Sequence, residues 1–297
     1  MWVVRDRFKP PATDLLAVSS MTGGQSMSET QCHLLEVRGL SKTRTQGRWW
    51  QRQFEVRALD SVDLALDVGC TLALVGQSGA GKTTLAMCLV GLEHPDEGDI
   101  LFNGKSVLKS GEKKRMRTTQ DIQLIFQDSA GALSPRMSAV QVVEEPLLIR
   151  GEGTREERHE RAIRAMQQVG LSPAWKNRRP HELSGGQRQR LAIARALITA
   201  PRLLILDEAL AGLDLSIQGQ IVNLLMELQI EQHLSYLYIT HNHELASRIA
   251  NEVVILHEGR VVERFSPVAG VAESLFDEQA SGRSEEGDLR LGAHSGA

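Results

Sequence analysis

The chain has 297 residues, of which 34 are lysine or arginine and 37 aspartate or glutamate, for a formal net charge of −3. With 41% hydrophobic and 24% charged residues it has the proportions of a soluble globular protein, and its near-neutral balance argues against a dedicated nucleic-acid binder. No apolar run approaches the roughly 18–20 residues needed to cross a bilayer, so the chain is not expected to span a membrane.

Residues 1–33 carry charge, a Pro pair and no secretion-type apolar core, so they read as a tail outside the fold, with Met27 an alternative start. Order is expected to begin with a strand at Leu34-Leu35-Glu36-Val37. A polar, basic loop then runs from Ser41 to Gln53, and a second strand pair is expected around Val56 to Leu66. The short apolar run Thr71 to Val75 predicts a strand buried on both faces of a parallel sheet, and a helix continues from Lys82 to Val90. Asp99 to Phe102 with Asn103-Gly104 reads as a hairpin. The basic cluster Lys109, Lys113, Lys114, Arg115 and Arg117 reads as a solvated surface, and Ile122 to Phe126 as another strand. Residues from about 137 to 180 repeat apolar positions at helical spacing. Apolar strands return at Leu203–Leu206, Tyr236–Ile239 and Val253–Leu256, with an amphipathic helix over Ile217–Ile230 between the first two. Aromatic residues are only 4%, so the core must be aliphatic. Cys32, Cys70 and Cys88 have no metal-like spacing and read as incidental or buried thiols.

Strands alternating with helices imply an α/β fold around a mainly parallel sheet. Gly76-Gln77-Ser78-Gly79-Ala80-Gly81-Lys82-Thr83 fits the phosphate-loop pattern and stands between a predicted strand and helix, the context that pattern requires. Its glycines let backbone N–H groups face phosphate oxygens, and the helix N-terminus adds partial positive charge there. Lys82 is expected to reach the β- and γ-phosphates and Thr83 to ligate Mg²⁺, with Thr84 beside it. Leu203 to Leu206 would deliver Asp207 to the carboxyl end of a buried strand, to hold Mg²⁺, and Glu208 would polarise the attacking water.

Leu183-Ser184-Gly185-Gly186-Gln187, placed 23 residues before Asp207, resembles the signature of the ABC-type ATPases. The rest of that family's motifs follow in order over residues 34–264. Gln127 resembles the glutamine that touches Mg²⁺ or the attacking water, Leu213-Asp214 the dimer-contact loop, and His241 the histidine that contacts the γ-phosphate. The resemblance implies a P-loop ATPase with a mixed, mainly parallel sheet and a small antiparallel β-lobe. The core would comprise 34–126 and 183–264, with an inserted helical subdomain at 127–182 and a flexible tail at 265–297. It implies ATP and Mg²⁺ as ligands, with ATP clamped between one subunit's phosphate loop and the Ser184-to-Gln187 segment of a second, identical or homologous ATPase subunit. Phe54 stands near the position expected to stack adenine, with Trp50 and Trp49 as rivals and plain packing as the alternative. Ala209-Leu210-Ala211-Gly212 departs from the family's usual run after the glutamate, and Gly212 is expected to loosen the dimer-contact loop.

Phe126-Gln127-Asp128, Leu133-Ser134-Pro135-Arg136, Glu144-Glu145-Pro146-Leu147 and Arg179-Pro180-His181-Glu182 resemble the ATP-binding subunits of bacterial peptide and nickel importers. That branch implies transmembrane permease subunits as direct partners, meeting residues near Leu133 to Glu145. It also implies a solute-binding protein as an indirect partner, no nucleic acid, and a peripheral position on the cytoplasmic face of the bacterial inner membrane. The branch's His-Pro-Tyr-type segment is not matched after the last expected strand, and the alternative is an assembly ATPase resembling those associated with phosphonate C–P lyase.

Overall fold

The computed structural model describes residues 33–46, 54–108, 120–128 and 131–267. Cys32, Trp49, Trp50, the basic cluster from Lys109 to Arg117 and both chain ends lie outside the described residues. In chain order the strands are β1 (Leu35–Gln46), β2 (Phe54–Leu66), β3 (Thr71–Val75), β4 (Glu97–Phe102), β5 (Lys105–Ser106), β6 (Ile122–Ile125), β7 (Leu203–Asp207), β8 (Ser235–Thr240), β9 (Glu252–His257) and β10 (Arg260–Phe265). The helices are α1 (Lys82–Leu89), α2 (Ala139–Arg150), α3 (Arg155–Gln168), α4 (Gly185–Leu197), α5 (Leu215–Gln232) and α6 (His243–Ile249). No helix among the described residues is long and apolar enough to cross a membrane.

Continuous apolar runs became central strands. Every residue of β3, β7 and β8 is buried. They lie together in a six-stranded sheet of order β10-β9-β3-β8-β7-β6, parallel except for the β9–β10 hairpin. A strand's side chains alternate between faces, so each run feeds two cores. Leu203, Ile205, Leu237 and Ile239 join α1 and the second sheet, whereas Leu204, Leu206, Tyr236 and Tyr238 join α2 to α5. That second sheet is antiparallel, of order β2-β1-β4-β5.

Between β6 and β7, α2 and α3 pack on each other and on α4, with one-turn 3₁₀ segments at Pro173–Trp175 and Pro180–Glu182 leading into α4. Thr154 caps α3 by accepting from the Glu157 N–H at 3.2 Å, while Glu157 accepts from the Thr154 N–H at 2.8 Å.

Two local expectations change. Ser41–Gln46 is strand, not loop: β1 continues beyond Leu40 opposite β2, with register shifts between Val37 and Thr43. The irregularity explains the polar sequence, because Ser41 is buried yet satisfied, its Oγ accepting from the Ser61 N–H at 3.0 Å. Val56–Leu66 belongs to one long strand rather than a pair.

Candidate functional site

Four strands end on one edge of the large sheet. In register, Val75 stands opposite Thr240, Asp207 opposite Ile239, and Ile125 opposite Leu206. The next residues, Gly76, His241, Glu208 and Phe126-Gln127, therefore leave the sheet side by side, at the carboxyl ends where parallel sheets bind ligands.

The loop from Gly76 to Gly81 is shaped by backbone contact. A Cβ on Gly81, where φ is +105°, would stand 2.2 Å from the Ala58 carbonyl oxygen, and one on Gly76 would stand 2.3 Å from that of Leu256. Only glycine fits either place. The loop is braced by the Gly259 N–H, which donates to the Ala80 carbonyl at 3.0 Å, and the Ala80 N–H donates to Gln77 at 3.1 Å. Gly81 caps α1 with no side-chain acceptor. Lys82 is buried, and its Nζ donates to the Gly76 and Gln77 carbonyls at 2.7 and 2.9 Å. Burial pushes its ammonium below the usual lysine range, against the opposing pull of Glu208 and Asp207.

Asp207 is buried at the end of β7. Burial raises its carboxyl above the usual range; a hydrogen bond with Thr83 opposes this, the Glu208 charge adds to it, and Lys82 opposes it. Glu208 adopts φ +48°, held where its N–H donates to the Ile239 carbonyl at 2.9 Å, and its Oε1 lies 3.4 Å from His241 Nδ1. Thr83 is exposed and Thr84 buried. The structure thus brings Lys82, Thr83, Asp207, Glu208 and His241 together. Backbone N–H groups, an ammonium, a hydroxyl and two carboxylates are the donor set that a polyphosphate with a hard divalent cation requires. Gln127 is exposed on the turn after β6, at the same edge.

The Ser184 segment forms a separate cluster. Ser184 caps α4 reciprocally: its Oγ accepts from the Gln187 N–H at 3.3 Å, and Gln187 Oε1 accepts from the Ser184 N–H at 3.0 Å. A Cβ on Gly186 would meet Ile217 Cγ2 at 2.8 Å, and one on Gly185 would meet Leu213 Cδ2 at 3.8 Å. The segment therefore seats against the start of α5, next to Asp214, which is that helix's exposed N-cap. Among the described residues, no hydrogen bond or ion pair joins Ser184–Gln187 to Gly76–Thr84. Phe54 opens β2 opposite Gln46.

Gly212 has φ +76°, the left-handed region glycine favours, and the loop around it is tied rather than loose. The Ala211 N–H donates to Glu208 at 3.0 Å, and Gln218 Nε2 donates to the Leu210 and Leu213 carbonyls at 3.0 and 3.1 Å. Residues not anticipated from sequence are this Gln218 and the brace made by Ala58, Leu256 and Gly259. Glu258-Gly259 is a turn signal, but nothing in sequence says what the turn touches.

The family model described as ABC transporter matches residues 59–211. The dipeptide transport ATP-binding protein DppF of Escherichia coli strain K12 is 44% identical over 222 residues, covering 75% of this chain and 65% of that protein's length. The putrescine export system ATP-binding protein SapF of the same strain is 39% identical over 244 residues, covering 82% and 90%. Among solved structures, a dimeric ATP-binding cassette in a post-hydrolysis state, bound to ADP and Pi, matches with a TM-score of 0.69. Its identity is 28%, and the match covers 79% of this chain and 99% of that one.

Proposed function

The chain belongs to the ABC transporter family, and from that premise we propose that it binds and hydrolyses ATP to power a membrane transporter for peptides or a related small solute. The observation that carries this reading is the convergence of Lys82, Thr83, Asp207, Glu208 and His241 at one sheet edge. Within it, the backbone N–H groups from Gly76 to Gly81 and the Lys82 ammonium hold the phosphates. Thr83, Asp207 and Gln127 are the residues that would hold Mg²⁺, which when bound neutralises phosphate charge. Glu208 accepts a proton from the attacking water, and His241, in contact with it, orients toward the γ-phosphate. Thr84 completes the first turn of α1, and adenine stacking would fall to Phe54, whose side chain lies outside the described residues.

Ser184, Gly185, Gly186, Gln187 and Asp214 serve the site of a second ATPase subunit, identical or homologous, that faces this one. The dimeric state of the similar cassette supports that arrangement. The cargo reading is drawn from the relatives: one is named for dipeptide transport and one for putrescine export, which supports a peptide or a related small solute. Both are transport proteins, which favours this reading over an assembly ATPase. The core would be residues 34–126 and 183–264, with 127–182 meeting permease subunits at the cytoplasmic face of the inner membrane.

Glu208→Gln keeps the side chain's shape and removes the base. Turnover should fall by about 10²–10⁴-fold, with ATP affinity retained and an ATP-stabilised dimer visible by light scattering. Undiminished turnover in this variant would refute the reading.

A further inference from the structure

Helix α2 carries two adjacent carboxylates that reach different neighbours. Glu144 Oε1 lies 2.8 Å from His159 Nδ1 on α3. Glu145 Oε2 accepts two bonds from Arg195 of α4, from Nε at 3.1 Å and Nη2 at 2.8 Å. Helices α3 and α4 are also tied to each other at both C-terminal ends. Arg190 Nη1 donates to the Val169 carbonyl at 2.7 Å, and Arg161 Nη2 to the Ile198 carbonyl at 3.1 Å, capturing carbonyls that helix ends leave without backbone partners. Among the described residues, Glu145–Arg195 is the one side-chain ion pair that joins α2 to α4.

The position of that pair on α2 matters. Near its N-terminus, α2 is bonded to the stretch leading into the signature: the Ala139 and Val140 N–H groups donate to the Arg178 and Lys176 carbonyls at 2.7 and 3.0 Å. At its C-terminus, Arg150 Nη2 donates to the Gln120 carbonyl at 2.8 Å, just before β6 of the central sheet. Between these anchors sits Pro146, inside the helix and directly after Glu145. It has no N–H for the Val142 carbonyl, so the ladder is broken at the foot of the ion pair. A displacement of one half of α2 against the other would change where Glu145 holds Arg195.

Resting on the function proposed above, we propose that the Glu145–Arg195 pair is a strut through which the pose of α2 sets the pose of the signature helix. Arg195 is then a positioning residue for hydrolysis at the facing subunit's phosphate loop. Both side chains are partly exposed, and both donors converge on a single oxygen. The pair therefore adds little to folding, and its effect on function is separable from stability.

The test uses the full chain carrying Glu208→Gln, with ATP-driven dimerisation followed by light scattering and nucleotide binding by titration of a fluorescent ATP analogue. Arg195→Ala should leave analogue affinity and thermal midpoint within error of the parent. It should weaken the ATP-bound dimer about fivefold per pair, or about 25-fold for a dimer that carries two. Arg195→Lys should recover part of the loss, as a single point charge in place of a two-donor fork. Exchange of the charges in Glu145→Arg/Arg195→Glu should recover most of it. Dimerisation unchanged in Arg195→Ala, or an exchange variant no better than Arg195→Ala, overturns the strut while leaving the proposed function standing. A parent that binds the analogue but never dimerises overturns both.

Discussion

Two helix N-termini dominate this molecule, and they are prepared in opposite ways. At α1 the cap is Gly81, with no side-chain acceptor, so the first-turn N–H groups stay available and the loop's shape comes from glycines that nothing larger could replace. At α4 the cap is Ser184, already engaged with Gln187 in both directions, and the atoms nearest a Cβ on its glycine Gly186 belong to the side chain of Ile217. One end is held open by rigid backbone; the other is closed on itself and seated on movable side chains. On the function proposed above, one anion site would be built ready and the other built latent.

The contrast can be broken first at Gly81. A Cβ there would strike the Ala58 backbone and sit at a strained φ, so Gly81→Ala should cost about 3 kcal/mol and shift the thermal midpoint accordingly. A loss under 1 kcal/mol would mean that the loop is not shaped by backbone contact. Next comes Lys82→Ala, which removes charge-assisted bonds worth about 1.5–3 kcal/mol and should weaken nucleotide binding roughly 10- to 150-fold by calorimetry. Equal affinity would leave the α1 end with no claim to phosphate. At the latent end, Ser184→Ala deletes a cap worth about 1 kcal/mol and should lower the midpoint by about 2–4 °C, with monomer nucleotide affinity unchanged. If that affinity fell, the two termini would not be separate.

The smallest effect sharpens the electrostatics. Asp207 is raised chiefly by burial, so its folded-state pKa lies above its unfolded one, and ionising it works against folding. That penalty is present above the folded pKa and absent below the unfolded value of about 4. Asp207→Asn should therefore raise the nucleotide-free midpoint near neutrality, with the gain shrinking as pH falls toward 4. A gain that is flat across this range would assign it to packing instead.

Much of this was legible beforehand because burial and spacing write themselves plainly. Leu203–Leu206 and Thr71–Val75 are runs that only a two-sided strand explains, and the phosphate loop stands between strand and helix as its pattern demands. Ser41–Gln46 was not legible, because an irregular pairing lets Ser41 be buried among polar neighbours and hides the alternation. Helix α6 is only seven residues long, too short for a period to register. Gly212 was misjudged because sequence shows a small residue but not its φ of +76°, nor Gln218 reaching back to hold the loop. Contacts of high sequence separation, such as Glu145 with Arg195, leave no local trace at all.

One such contact bears on how the protein comes into being. The phosphate loop leans on Leu256 and Gly259, which stand in the hairpin of β9 and β10, the last two strands among the described residues. A chain still being synthesised holds every residue of the motif long before it owns the wall behind it. Tight capture of nucleotide should then wait until the β9–β10 hairpin has emerged and closed the back of the cradle.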